Sequence, residues 1–155
     1  MKFKDLGLKI NAIIEDIVEK STMLEVGELA KDLVVTRTKK GMGVKKSEGK
    51  QAKLKGLSES YKKQRNRLRR QGKLANDTSP SESNLTKEGQ MLQSVDSRAA
   101  KSVAEVYIKG QDNNKKAELQ EKAGRTFMNL SKTEVNKIKK LIEQKIKADI
   151  KKKGL

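Results

Sequence analysis

Apolar residues recur at spacings of three and four along two long stretches of this chain. The first stretch covers residues 5–35 and runs from Leu6 to Val34, with charged residues between the apolar ones. This spacing places apolar side chains on one side of an α-helix. It predicts one helix, or two helices nearly in line, over residues 5–35.

The second stretch follows residue 131. Ser131-Lys132-Thr133-Glu134 is a capping box, in which Ser and Glu side chains satisfy free backbone N–H groups at a helix start. It predicts a long C-terminal helix with these residues turned inward: Val135, Ile138, Leu141, Ile142, Ile146 and Ile150.

A period of two appears between these stretches. Ala104, Val106 and Ile108 alternate with more polar positions, which is typical of a half-buried strand. The pattern predicts a β-hairpin over 93–110, with strands near 93–98 and over 102–109. The predicted fold class is α+β: a small antiparallel sheet flanked by long N-terminal and C-terminal helices, with a long basic loop or hairpin, in a single domain over residues 1–155.

The middle of the chain changes character twice. Glycines and few apolar residues over 36–56 predict a long flexible loop or a protruding hairpin, whose basic part covers 37–56. Ser58 is a suitable N-cap and Gly72 a suitable C-terminal residue for a helix over 58–71. Residues 73–84 are turn formers and predict a polar linker.

Shorter elements follow the linker. Thr86 is the predicted N-cap of a short helix, after which Met91, Leu92 and Val95 face inward. A further helix is predicted over 114–123. Residues 125–130 are predicted to be a short extended segment leading to the capping box.

Charge is concentrated in one quarter of the chain. The net charge is +17, and residues 37–73 carry 15 basic and 2 acidic side chains. A segment of this density repels itself unless an anionic partner lies close. DNA and an acidic protein surface are both candidates, and DNA would bind through its phosphates with little sequence preference.

The composition argues against several functions. The chain has no Cys and no His, which removes thiol nucleophiles, disulfides, His bases and Cys or His zinc sites, and no cofactor is predicted. The carboxylate pairs Glu15/Asp16 and Glu118/Glu121 are interpreted as solvated helix faces, so an enzyme is not predicted. Only four aromatic residues are present, too few for a base-stacking platform.

The start of the chain lacks the pattern of a signal peptide, and no apolar stretch approaches the length of a membrane span. We therefore expect a soluble protein made in the cytoplasm, with no membrane partner.

Four segments in order resemble the bacteriophage virion-morphogenesis family of tail-completion, neck and head–tail joining proteins. They are, from the N-terminal side, the Arg- and Gly-containing loop 37–43, Leu57-Ser58-x-x-Tyr61 with the basic run 62–70, the phrase Leu85-Thr86-x-x-Gly89-x-Met91-Leu92, and the segment 122–131 with its Arg-x-Phe. The chain has neither the His near position 121 nor the Pro before Arg125 that members often carry. The resemblance therefore leaves tail-completion, tail-terminator and neck roles open.

The resemblance implies a homo-oligomeric ring, sixfold or twelvefold, located in the virion at the head–tail junction. Its expected partners are connector or portal-adaptor proteins, tail proteins and packaged double-stranded DNA bound non-specifically. The residues expected to face the DNA channel or a neighbouring subunit are Arg37, Lys39, Lys40, Lys45, Lys46, Lys62, Lys63, Arg65, Arg67, Arg69 and Arg70. The alternative is a free basic nucleic-acid-binding protein, which the charge alone would also fit.

Overall fold

A computed structural model of the protein describes residues 7–11, 19–74, 85 and 90–154. Its elements are β1 (Gly7–Asn11), α1 (Lys20–Lys39), β2 (Met42–Lys45), β3 (Lys50–Lys53), α2 (Glu59–Arg70), α3 (Gln90–Gln93), β4 (Val95–Ala100), β5 (Val103–Ile108), α4 (Gln111–Lys122) and α5 (Lys132–Lys152). The predicted α+β class is confirmed, with long helices α1 and α5 and antiparallel strands between them.

The first predicted helix is wrong at its start. Residues Gly7–Asn11 form β1, which pairs antiparallel with β5, placing Leu8 opposite Val106 and Ile10 opposite Ala104. In this short window Leu8 and Ile10 alternate with more polar neighbours, so a period of two competes with the helical spacing. Pairing with β5 favours the strand over the helix. Residues 12–18 lie outside the described part of the chain, and α1 covers the rest of the prediction.

The main sheet has three strands in the order β1-β5-β4. The hairpin predicted over 93–110 is confirmed as β4 and β5, with Val95 opposite Ile108 and Ala100 opposite Val103. Ala104, Val106 and Ile108 are buried, as their alternation predicts. One face of the sheet is covered by α1, whose Met23, Val26, Ala30 and Val34 are fully buried.

Helix α1 can approach the sheet closely because of Gly27. A Cβ atom at this position would lie 3.2 Å from the Ser97 Cβ on β4 and 3.7 Å from the Ala104 Cβ on β5. The glycine lowers helix propensity. Because Gly27 has no side chain, the backbone of α1 packs directly on Ser97 and Ala104 of the sheet.

Helix α5 packs against α1 and closes the core from another side. Its capping box is present as predicted, with the Ser131 and Glu134 side chains each bonded to the backbone of the other residue. Ile138 and Phe127 join the same buried cluster as the α1 residues. Ile150, which was predicted to face inward, is 40% exposed.

The segment 36–56 contains a hairpin, one of its two predicted forms, but this hairpin packs against the rest of the fold. The first residues of the segment extend α1 to Lys39, and the rest contains the two-stranded hairpin β2–β3, in which Met42 pairs with Lys53 and Lys45 with Lys50. The hairpin does not protrude. Val44 N donates to Thr126 O at 3.0 Å and Lys132 N donates to Gly49 O at 2.8 Å, so hydrogen bonds hold the hairpin against residues 126–132.

The remaining predictions vary in outcome. Helix α2 begins after the predicted cap Ser58, and Gly72 follows its end with a φ of +68°. Met91, Leu92 and Val95 are buried as predicted, and α4 matches the helix predicted over 114–123 but starts three residues earlier. Residues 125–130 contain no strand. Most of the predicted linker 73–84 and the cap Thr86 lie outside the described residues.

Gly43 gives a test of how the hairpin is docked. A Cβ atom at this position would lie 2.3 Å from Thr126 O and 2.6 Å from the Leu54 Cδ2. Gly43→Ala must therefore push the hairpin off the 126–132 segment, and we expect it to lower the free energy of unfolding by about 1–3 kcal/mol in urea titrations.

Gly56→Ala is the matched control, because a Cβ atom there meets nothing within 4 Å. It should change the free energy of unfolding by less than about 0.5 kcal/mol. Equal stability of the Gly43→Ala variant and the wild type would contradict the docking.

Candidate nucleic-acid interface

Arg37 is not on the surface. Its side chain is 3% exposed, and its Nη1 donates to the Glu134 Oε2 at 2.5 Å. Its Nη2 donates to the carbonyls of Phe127 at 2.5 Å and Asn129 at 3.0 Å. This corrects the prediction of a DNA or subunit contact for Arg37, because its guanidinium is used within the core. Burial holds its pKa below the ordinary value and Glu134 partly offsets this effect, but an arginine stays charged.

Glu134 is the other half of this junction. Its Oε2 accepts from Ser131 N at 2.7 Å as well as from Arg37, and its Oε1 accepts from the Gln51 Nε2 at 3.3 Å. The carboxylate thus joins the end of α1, the strand β3 and the start of α5. We call Arg37, Glu134 and the groups bonded to them the Arg37 junction.

Arg65 is also buried, at 2% exposure. Its guanidinium carbon lies 5.8 Å from the centre of the Tyr61 ring, a cation–π distance. Burial lowers its pKa, and Tyr61 acts in the opposite direction. Arg65 therefore marks the covered side of α2, and this corrects its predicted place on an exposed contact surface.

The other predicted residues lie on exposed or partly exposed surface. Lys45 pairs with Glu48, Lys46 pairs with Glu121 at 3.6 Å, and Lys62 pairs with Glu59 at 2.8 Å. Lys39 and Lys40 are exposed at the end of α1, and Arg69 is exposed on α2. The hairpin cations are thus partly neutralised within the chain.

Three of the predicted residues are brought together. Lys63, Arg67 and Arg70 follow each other at spacings of four and three on α2, so they lie on one side of the helix, opposite Arg65. All three are exposed, and none forms an ion pair with a described residue. We call them the α2 stripe. It can attract phosphates or carboxylates.

Two residues that the contact prediction omits hold the segment 125–128 in place, and one of them connects it to the residues before α2. Arg125 donates from Nε to Lys55 O at 3.1 Å and from Nη2 to Gly56 O at 3.2 Å. Glu121 Oε1 accepts the backbone N–H groups of Phe127 at 2.9 Å and Met128 at 3.2 Å. Their sequence signal is the helix end at Gly124 followed by Arg-x-Phe, but only the fold reveals their partners.

Of the carboxylates considered for catalysis, Glu121 is bonded within the fold. Glu121 is committed to backbone amides and to Lys46, and Glu15/Asp16 lie outside the described residues. Among residues 7–11, 19–74, 85 and 90–154 no group of three Asp, Glu, His or Cys residues is placed to hold a metal ion. None of the described helices is both long and apolar enough to cross a membrane.

Comparisons of this chain with protein-family models, curated proteins and solved structures found no match.

Substitution of Arg37 tests whether a buried ion pair contributes more to stability than an exposed one. Arg37→Met keeps an apolar stem but leaves the Glu134 carboxylate and two carbonyls without their donor. We expect the free energy of unfolding to fall by about 3–5 kcal/mol, because the remaining charge is buried without its counterion.

The chain offers a matched control in a second ion pair between the same two helices. Lys145 on α5 pairs with Glu25 on α1 at 2.7 Å, and both side chains are more than a third exposed. Lys145→Met should cost less than about 1 kcal/mol. Similar losses in the two variants, measured by chemical denaturation, would contradict the role given to Arg37.

Proposed function

We propose that this protein is a non-catalytic structural subunit of a bacteriophage head–tail junction, of the tail-completion, tail-terminator or neck kind. In this role it forms a ring of six or twelve copies between connector and tail proteins, around the DNA channel. The proposal combines the resemblance of four segments with the way the fold connects them.

The observation that carries the proposal is the convergence in space of three of these segments, all but the one over 85–92. Arg37 of the segment 37–43 bonds Phe127 O and Asn129 O of the segment 122–131, and Val44, next to Gly43, bonds Thr126 O. Arg125 of the same late segment bonds the carbonyls of Lys55 and Gly56, directly before the phrase that starts at Leu57. Segments up to 92 residues apart thus form one connected unit, as expected if the resemblance reflects a shared fold.

The α2 stripe supports the part of the proposal that concerns binding partners. Its positive side chains at spacings of three and four repel each other by a few tenths of a kcal/mol per pair. This repulsion is relieved when phosphates or carboxylates lie against them. In a ring, one face of a subunit meets a different face of the next, so the stripe has two candidate partners: an acidic face of the neighbouring protein and the DNA in the lumen.

Disruption of the gene tests the role directly. In the phage or prophage that encodes this chain, loss of the protein should give filled heads and separate tails that fail to join, visible by electron microscopy. Mass spectrometry of purified wild-type particles should find the protein at six or twelve copies per particle. Its absence from particles, or normal joining without it, would refute the proposal in favour of a free nucleic-acid-binding protein.

Complementation tests the α2 stripe within this role. A gene carrying Lys63→Gln, Arg67→Gln and Arg70→Gln should restore at least tenfold fewer infectious particles than the wild-type gene, since the contact with an anionic surface is lost. The amide variants keep good helix formers in place. A control carrying Lys101→Gln, Lys115→Gln and Lys122→Gln removes the same charge from exposed positions elsewhere. Equal titres from the two variants would exclude the stripe as a contact.

A further inference from the structure

Helix α5 carries a second row of positive side chains that the predicted contact surface does not include. Residues at positions 137, 140, 144, 147 and 151 follow at alternating spacings of three and four, so they lie along one side of the helix. All of them are exposed: Lys137, Lys140, Gln144, Lys147 and Lys151. We call the four lysines the α5 row.

The row points away from the core because the opposite side of α5 is fixed. Glu134 and Ile138 are 2% and 3% exposed on that side, and Arg37 holds Glu134 in place. Further along, Lys145 pairs with Glu25 of α1. Helix α5 therefore cannot rotate the row inward without breaking the Arg37 junction.

The charge of the α5 row is not neutralised by the described part of the chain. None of its four lysines has an ion pair or a side-chain hydrogen bond with a described residue, in contrast to Lys145 and Lys46. Glu143 stands three residues after Lys140 and four before Lys147, a suitable spacing for a pair, yet it forms no ion pair within 4 Å with any described lysine.

We infer that the α5 row binds the phosphate backbone of double-stranded nucleic acid. Fourteen residue steps along a helix cover about 21 Å. Over that length one strand of B-DNA presents about six phosphates. The phosphates of a duplex therefore outnumber the four lysines over the length of the row.

The chemistry of the row favours nucleic acid over a protein partner. The row contains only lysine and one glutamine, whereas the centres of protein interfaces are enriched in aromatic residues, Met and Arg and depleted in Lys. Lysine acts as a point charge and does not require the planar geometry that arginine uses for bidentate contacts. Contacts of this kind position a protein on DNA without reading its sequence.

The test is a DNA titration with the full-length protein and a 30-base-pair duplex, at salt concentrations from 50 to 200 mM. The row variant changes these residues to Gln: Lys137, Lys140, Lys147 and Lys151. The control variant lowers the net charge equally at exposed positions without a described ion pair, also by change to Gln: Lys20, Lys101, Lys115 and Lys122. Circular dichroism should give the same helix content for all three proteins.

Each phosphate contact contributes about 0.9 to the slope of log affinity against log salt. The wild type should therefore lose on the order of a hundredfold more affinity than the row variant between 50 and 200 mM salt. The control variant should follow the wild type within about threefold. Equal losses in both variants would mean that net charge alone governs binding and would overturn the inference.

Two other results would also overturn it. One is a row variant that binds the duplex like the wild type at every salt concentration. The other is a row variant that binds poly-glutamate more weakly but the duplex normally, which would indicate an acidic protein partner. None of these results bears on the head–tail role, which is tested by particle composition, so the two proposals can fail separately.

Discussion

The buried pair of Arg37 and Glu134 is the interaction on which the described fold depends most. A single guanidinium satisfies the Glu134 carboxylate and the carbonyls of Phe127 and Asn129. Replacing a buried ion pair with apolar residues is often neutral or even stabilising, so net stability alone does not explain its presence. Its value lies in geometry. The Nη1 and Nη2 groups reach their acceptors only when the end of α1, the 127–129 segment and the start of α5 hold one relative position.

This constraint organises the parts of the chain that contain few apolar residues. The hairpin β2–β3 has little core of its own, and it is positioned by Val44 against Thr126, Gln51 against Glu134 and Gly49 against Lys132. Arg125 extends the same pattern to the carbonyls before α2. Hydrogen bonds to segment 125–132 thus connect the two basic regions to the apolar core made by α1, α5 and the main sheet.

The sequence predicts best where one local signal determines the structure. The alternation around Val106, the cap at Ser58 and the capping box at Ser131–Glu134 depend on neighbouring residues, and the corresponding elements are confirmed. Strand β1 was missed because its pairing with β5 is a long-range contact that outweighs a short helical pattern. The sequence places Arg37 and Arg65 on the surface because charge along the chain does not reveal burial. The partners of Arg37 appear only when distant segments meet.

The pairing of acidic residues explains why the α2 stripe and the α5 row carry unpaired positive charge within the described part of the chain. Residues 37–73 contain only Glu48 and Glu59 as acids, and each pairs with the lysine three residues away. Glu134 is used by Arg37, and Glu121 by backbone amides and Lys46. In the folded chain these carboxylates are therefore bonded to other groups and do not pair with the α2 stripe or the α5 row. Like charges remain along both helices without a counterion among the described residues, and a polyanion would supply many counterions in one binding event.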